Sequence, residues 1–202
     1  MIVFIKENLA ILANPKTGTT ALEQAIGNNA DLIVRNPSAM KHFTISQFNF
    51  RFRAMCEKFF CGSRIETMCL VREPVDWLGS WYRYRQRDDV AGHSVSTRGI
   101  SFDQFVLDYL AEERPVWADV GDQVKFVTEK SGSVGVDYVF QYEQWPLAIE
   151  FLQHRLPHLA QHMQLPRANM SPQADLTLAA TTRQALERAC ADQFELWHNI
   201  AL

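Results

Sequence analysis

LAILANPKTGTT, residues 9–20, joins a short apolar run to a loop built from proline, glycine, lysine and threonine. The apolar run predicts a buried strand, and ALEQAIGNN after it predicts a helix that ends near Gly27. In this order the helix start and the loop bring free backbone N–H groups to one place, which favours binding of an anion. The predicted phosphate loop comprises Pro15, Lys16, Thr17, Gly18, Thr19 and Thr20.

This loop is not a Walker A motif. Its order is Lys-Thr-Gly rather than Gly-Lys-Thr, and no glycine precedes it at the required spacing. Gly18 lets the backbone approach an anion closely, while Thr19 and Thr20 add hydroxyl donors and Lys16 adds a mobile charge. Taken alone, the hexapeptide leaves open a tight strand-to-helix turn with a threonine cap.

A second strand and helix follow at residues 65–87. IETMCLVRE predicts a buried strand, and Pro74 suits the first turn of the helix after it. Arg72 lies at the end of this strand. Ser80 follows about two helical turns into the helix, near the side that faces the strand end.

The rest of the chain continues the alternation of strands and helices. Capping-box patterns at Thr44–Gln47, Ser101–Gln104 and Thr181–Gln184 predict three helix starts. Further predicted strands are DLIVRN (31–36), KFVT (125–128) and VDYVFQY (136–142), and further predicted helices are 143–156 and 181–200. These elements predict an α/β fold of three layers, with a mostly parallel sheet flanked by helices. The 202 residues suit a single domain over 1–202.

Composition limits the classes of partner. The net charge of −3 argues against nucleic acid as a ligand. No apolar run reaches the roughly 18 residues of a membrane span, so we expect a cytoplasmic protein without a membrane partner. The four cysteines and six histidines do not fall at zinc-ligand spacing, so no metal is expected.

Together, the 15–20 loop and the pair Arg72 and Ser80 resemble the sulfotransferase family. In that family the first loop holds the 5′-phosphosulfate of 3′-phosphoadenosine 5′-phosphosulfate (PAPS), and a strand-end arginine and a helix serine hold its 3′-phosphate. VDYVFQYEQW and NMSP (169–172) resemble segments of small bacterial members. The resemblance implies a fold like that of the P-loop NTPases, PAPS as donor and no metal.

The resemblance also implies a base that removes the proton of the acceptor. His42 lies in MKHFT (40–44), and a histidine accepts a proton near neutral pH. We therefore expect His42 as the base, with Lys41 supporting charge on the sulfuryl oxygens and Lys16 supporting the leaving phosphate oxygen. Glu23 remains the alternative base. Arg98 and Arg167 are alternatives for completing the donor site.

Two rival functions remain from the sequence. One is an ATP-dependent small-molecule kinase, which needs a true Walker A loop and a carboxylate for Mg²⁺. The other is a non-catalytic nucleotide-binding protein of the same fold. The expected acceptor is a small molecule or a glycan, and the sequence decides neither its identity nor whether the chain forms a homo-oligomer.

Overall fold

The computed structural model describes residues 1–61, 64–163 and 173–200. It divides into two compact units. One holds the described residues of Met1–Arg72, Gln123–Ala168 and Ile200–Leu202, and the other holds those of Glu73–Asp122 and Asn169–Asn199. The predicted single domain over 1–202 stays a prediction.

Within the described ranges, the first unit contains a five-stranded mixed sheet and six α-helices. Its strands are β1 (Ile2–Phe4), β2 (Leu9–Ile11), β3 (Leu32–Ile33), β4 (Glu66–Val71) and β5 (Tyr138–Gln141). Its α-helices are α1 (Thr19–Ile26), α2 (Ser38–Lys41), α3 (Ile45–Phe48), α4 (Ala54–Cys56), α7 (Gln123–Val127) and α8 (Trp145–Arg155), and a 3₁₀ helix covers Pro157–His162. The α/β class predicted from the sequence is confirmed.

The strand order is β3-β1-β2-β4-β5. The pairs β2–β4 and β4–β5 are parallel, whereas β1 is antiparallel to both β2 and β3. The sequence did not predict β1, because its three residues are followed at once by the charged turn that leads into β2. A tight turn joins antiparallel strands, so this hairpin makes the sheet mixed.

The core of the first unit lies between the sheet and helices α1 and α8. Strand and helix side chains form one apolar cluster there, including Leu9, Ile11, Leu22, Met68 and Leu152. Every residue of β4 after Glu66 is buried, so this strand is covered on both of its faces. The carboxyl ends of β2 and β4 therefore emerge side by side from a buried parallel pair.

The second unit is helical. Its helices are α5 (Pro74–Arg85), α6 (Phe102–Leu110), α9 (Ala180–Ala189) and α10 (Ala191–His198). They pack around an aromatic-rich core that includes Trp77, Tyr82, Phe105, Tyr109 and Leu186. Glu73 caps α5 by accepting a hydrogen bond from the Asp76 amide at 2.8 Å, and Pro74 occupies the first turn as predicted.

Three local predictions are wrong. KFVT is not a strand, because Gln123, Phe126 and Val127 are buried at helical spacing in α7. The Thr181–Gln184 capping box does not form, since α9 begins at Ala180 with Ala179 as its N-cap. The predicted helix over 181–200 is two helices that meet at Cys190.

The other two helix starts form as the sequence indicates. At Thr44 both hydrogen bonds of the capping box are present, with Gln47 as the partner. The helix that follows continues in π-helical turns over Asn49–Arg53 and Glu57–Cys61. At Ser101 only the hydroxyl bond forms, because the Gln104 amide donates instead to Asp108.

Candidate functional site

The 15–20 loop runs from the end of β2 to the start of α1, as predicted. Two of its residues have left-handed backbone conformations, Lys16 at φ 66° and Gly18 at φ 74°. Thr17 is fully buried, and its hydroxyl donates to the Asn14 carbonyl at 2.8 Å. A loop with residues in this conformation, followed by the first turn of a helix, turns backbone N–H groups towards one spot. The anion cradle that the sequence predicts for this segment stays a prediction.

Gly18 is the N-cap of α1 and lies against two aromatic rings. A Cβ atom built on Gly18 would approach Tyr142 and Trp145 to 3.1 Å each. The two rings follow β5 and meet edge to face, 5.8 Å apart. Both the positive φ and this close approach require glycine at position 18.

Arg72 contacts the same loop from the end of β4. Its Nη1 donates to the Lys16 carbonyl at 3.1 Å, and its guanidinium lies 4.3 Å from the centre of the Tyr142 ring. Arginine stacked on an aromatic face keeps its planar fork of donors in a fixed orientation. The structure thus brings together Arg72 and the loop, two of the pieces that the sequence singles out.

Two buried amide side chains that the sequence analysis missed join these pieces. Gln123 accepts from the Arg72 backbone N–H at 3.0 Å and donates to the Arg72 carbonyl at 2.8 Å. Asn14 donates to the Leu70 carbonyl at 2.9 Å and to Gln123 Oε1 at 3.3 Å. No local sequence signal marks Gln123, since its partners are distant in the chain and the short helix that it begins has no clear helical pattern.

His42 contacts Ala13, two residues before the 15–20 loop. It ends the short helix α2, and its Nδ1 lies 2.6 Å from the carbonyl oxygen of Ala13. A carbonyl only accepts, so Nδ1 carries the proton and the neutral ring has its lone pair on Nε2. Burial, followed by the charge of Lys41, lowers the pKa of His42 below its ordinary 6.5. The ring is therefore neutral and able to accept a proton at neutral pH.

Lys41 and Glu23 form an ion pair beside this histidine. The Lys41 ammonium lies 3.0 Å from Glu23, and Arg35 lies 2.8 Å from the same carboxylate. Burial acts to raise the pKa of Glu23, but the bonds from Lys41 and Arg35 outweigh it and lower the pKa overall. An ionised carboxylate held by two cations is a poor proton acceptor, so the geometry favours His42 over Glu23 as the base.

The remaining predicted residues belong to the second unit or lie outside the described ranges. Ser80 is buried on α5 and Arg98 lies in the polar segment after it, both in the second unit. The Arg98 guanidinium is already engaged, with Asp88 and with the Gln86 carbonyl at 2.9 Å. Arg167 and the NMSP segment lie outside the described residues.

The described ranges hold neither a cluster of metal ligands nor a membrane-spanning helix. Residues 1–61, 64–163 and 173–200 contain no group of three or more His, Cys, Asp or Glu side chains that would hold a metal ion. The helices in the same ranges include none with the length and apolar character needed to cross a bilayer.

Comparison with known proteins gave no match to a family model, to a curated protein or to a solved structure.

Proposed function

We propose that this protein is a sulfotransferase of the PAPS-dependent family, which moves a sulfuryl group from PAPS to a hydroxyl or amine acceptor. One observation carries the proposal: a proton acceptor and a cation both hydrogen-bond to the backbone of residues 13–20, the segment that contains the predicted phosphate loop. His42 bonds to Ala13 at its start, and Arg72 bonds to Lys16 within it. These two bonds support a proposal in which a proton acceptor and an anion-binding cation serve the same ligand.

The proposed reaction divides the work among these residues. The loop amides, Thr19 and Thr20 hold the 5′-phosphosulfate, and Arg72 holds the 3′-phosphate. His42 Nε2 takes the proton of the acceptor as its oxygen or nitrogen bonds to sulfur. The bond from sulfur to the phosphate oxygen breaks, and Lys16 neutralises the charge on that oxygen. Lys41 supports the sulfuryl oxygens, and no metal takes part.

We also propose a specific layered fold, an acceptor class and a cellular location for the protein. The parallel strands β2, β4 and β5, with a phosphate loop after β2, support a three-layer fold like that of the P-loop NTPases. The acceptor is a small molecule or a glycan, and the setting is the cytoplasm.

Ligand binding tests the donor site without knowledge of the acceptor. We expect adenosine 3′,5′-bisphosphate to raise the melting temperature, whereas ATP with Mg²⁺ does not. Arg72→Met should abolish the shift. Arg155→Met is the matched control, because Arg155 also donates to a backbone carbonyl at 3.1 Å and also lies over a tyrosine ring. Arg155 pairs with Glu66 at the other end of β4, so its loss should leave the shift intact.

Transfer itself is tested by screening hydroxyl and amine acceptors with ³⁵S-labelled donor. A shift with ATP and Mg²⁺ alone would show that the proposal is wrong and that the site serves a kinase. A shift with the bisphosphate but no transfer to any acceptor would identify a non-catalytic nucleotide-binding protein.

A further inference from the structure

Gln123 is a fully buried polar side chain at the first position of α7. Its carboxamide hydrogen-bonds to Arg72 and to Asn14. Oε1 accepts from the Arg72 N–H and from Asn14 Nδ2, and Nε2 donates to the Arg72 carbonyl. Burying an amide costs free energy unless it is hydrogen-bonded, and here both ends of the amide are bonded.

The pair of bonds to Arg72 copies the pairing of two β-strands. One atom of the side chain accepts from the Arg72 N–H, and the other donates to the carbonyl of the same residue. Strand β4 ends at Val71, so Gln123 continues the pairing by one residue beyond the sheet. This fixes the peptide groups on both sides of the Arg72 Cα, and with them the direction in which its side chain leaves the chain.

The third bond reaches the other piece of the site. Asn14 lies directly before the 15–20 loop, and its own carbonyl receives the Thr17 hydroxyl. Gln123 therefore connects the backbone of Arg72 to the residue on which the loop is anchored. Gln123 thus adds to the direct bonds from Arg72 to Lys16 and from Asn14 to Leu70, and it comes from a distant part of the sequence.

We infer that Gln123 is a positioning residue of the donor site, which sets Arg72 against the phosphate loop so that both engage the same phosphorylated nucleotide. The inference rests on the proposed function, because that function supplies the ligand. Gln123 acts through Arg72 and Asn14. The expected consequence of its loss is weaker nucleotide binding, beyond any loss of stability.

The test compares two buried glutamines. Gln123→Met keeps the length and volume of the side chain and removes its hydrogen bonds. Gln193→Met is the matched control in the second unit, where Gln193 is 3% exposed and donates to the Tyr109 hydroxyl at 3.0 Å. Gln123→Glu is a second variant, which keeps an acceptor for the Arg72 N–H but turns a carboxylate towards the Arg72 carbonyl. The dissociation constant of adenosine 3′,5′-bisphosphate is measured by calorimetry, below the unfolding transition of every variant.

We expect both Gln123 variants to raise the dissociation constant by about tenfold or more, as the loss of one or two net hydrogen bonds implies. Gln193→Met should lower the melting temperature and leave the dissociation constant unchanged. Equal dissociation constants for the wild type and Gln123→Met would overturn this inference but not the proposed function. So would an equal loss of affinity in Gln123→Met and Gln193→Met, since that would reflect destabilisation only. Failure of the wild type to bind the bisphosphate would overturn the proposed function and this inference together.

Discussion

Replacing Gly18 by alanine tests whether the loop conformation is the one that binds the donor. The new Cβ faces two penalties, the left-handed backbone at φ 74° and the approach of 3.1 Å to Tyr142 and Trp145. The backbone penalty is about 1 kcal/mol. Ordinary carbon contacts lie near 3.5–4.0 Å, so the crowding adds about 1–2 kcal/mol.

Gly132→Ala is the matched control in the same unit. Gly132 has a φ of 88°, and a Cβ there meets nothing within 4 Å, so only the backbone penalty applies. For a chain of this length, about 1 kcal/mol lowers the melting temperature by about 2–4 °C. We therefore expect a loss of about 2–4 °C for Gly132→Ala and about 4–12 °C for Gly18→Ala.

Calorimetry measures both the melting temperature and the affinity for adenosine 3′,5′-bisphosphate. Gly18→Ala should weaken binding, because relief of the crowding displaces the loop, whereas Gly132→Ala should bind as the wild type does. Equal losses of melting temperature in the two variants would show that the aromatic contacts do not constrain Gly18. Unchanged affinity in a destabilised Gly18→Ala would refute the loop as the donor site.

Two further predictions concern proton transfer and the second unit. The pKa of His42 is lowered by burial and by Lys41, so the rate of sulfuryl transfer should fall only below pH 6.5, where the ring gains its proton. Lys41→Met removes a cation and should move this fall in rate to higher pH. A wild-type rate that already falls above pH 6.5, or full activity in His42→Gln, would exclude His42 as the base. Arg85 is buried and donates to two backbone carbonyls at 2.9 and 3.2 Å, so Arg85→Met should cost about 2–4 kcal/mol in denaturant unfolding. Arg87 is only half-buried, so Arg87→Met should cost less than about 0.5 kcal/mol, and similar values for the two variants would contradict the role of burial.

Local chemistry accounts for what the sequence predicted well. The Thr44 capping box needs only residues within one turn, and the 15–20 loop follows from a strand, a glycine and a helix start that are adjacent in the chain. The position of Arg72 follows from its place at a strand end, because parallel neighbours β2 and β4 end at the same edge.

Long-range contacts account for what the sequence missed. The five residues of α7 are too few to show a helical period, so the KFVT run has the pattern of a strand. Gln123 escapes prediction because its partner Asn14 lies 109 residues away and no spacing marks the pair. Thr181 carries the capping pattern, but α9 begins one residue earlier, and tertiary packing rather than the local pattern sets that start.

The hydrogen bonds of Asn14 bear on how the chain reaches its native state. The β1–β2 hairpin closes within a few residues, whereas Asn14 bonds to residues 56 and 109 positions further along the chain. Loop-closure entropy makes such distant contacts slow to form, and hairpins form within microseconds. The arrangement of the loop and Arg72 thus depends on contacts between residues that are far apart in the sequence. In a refolding experiment, the signal from the hairpin should recover before the capacity to bind a nucleotide does.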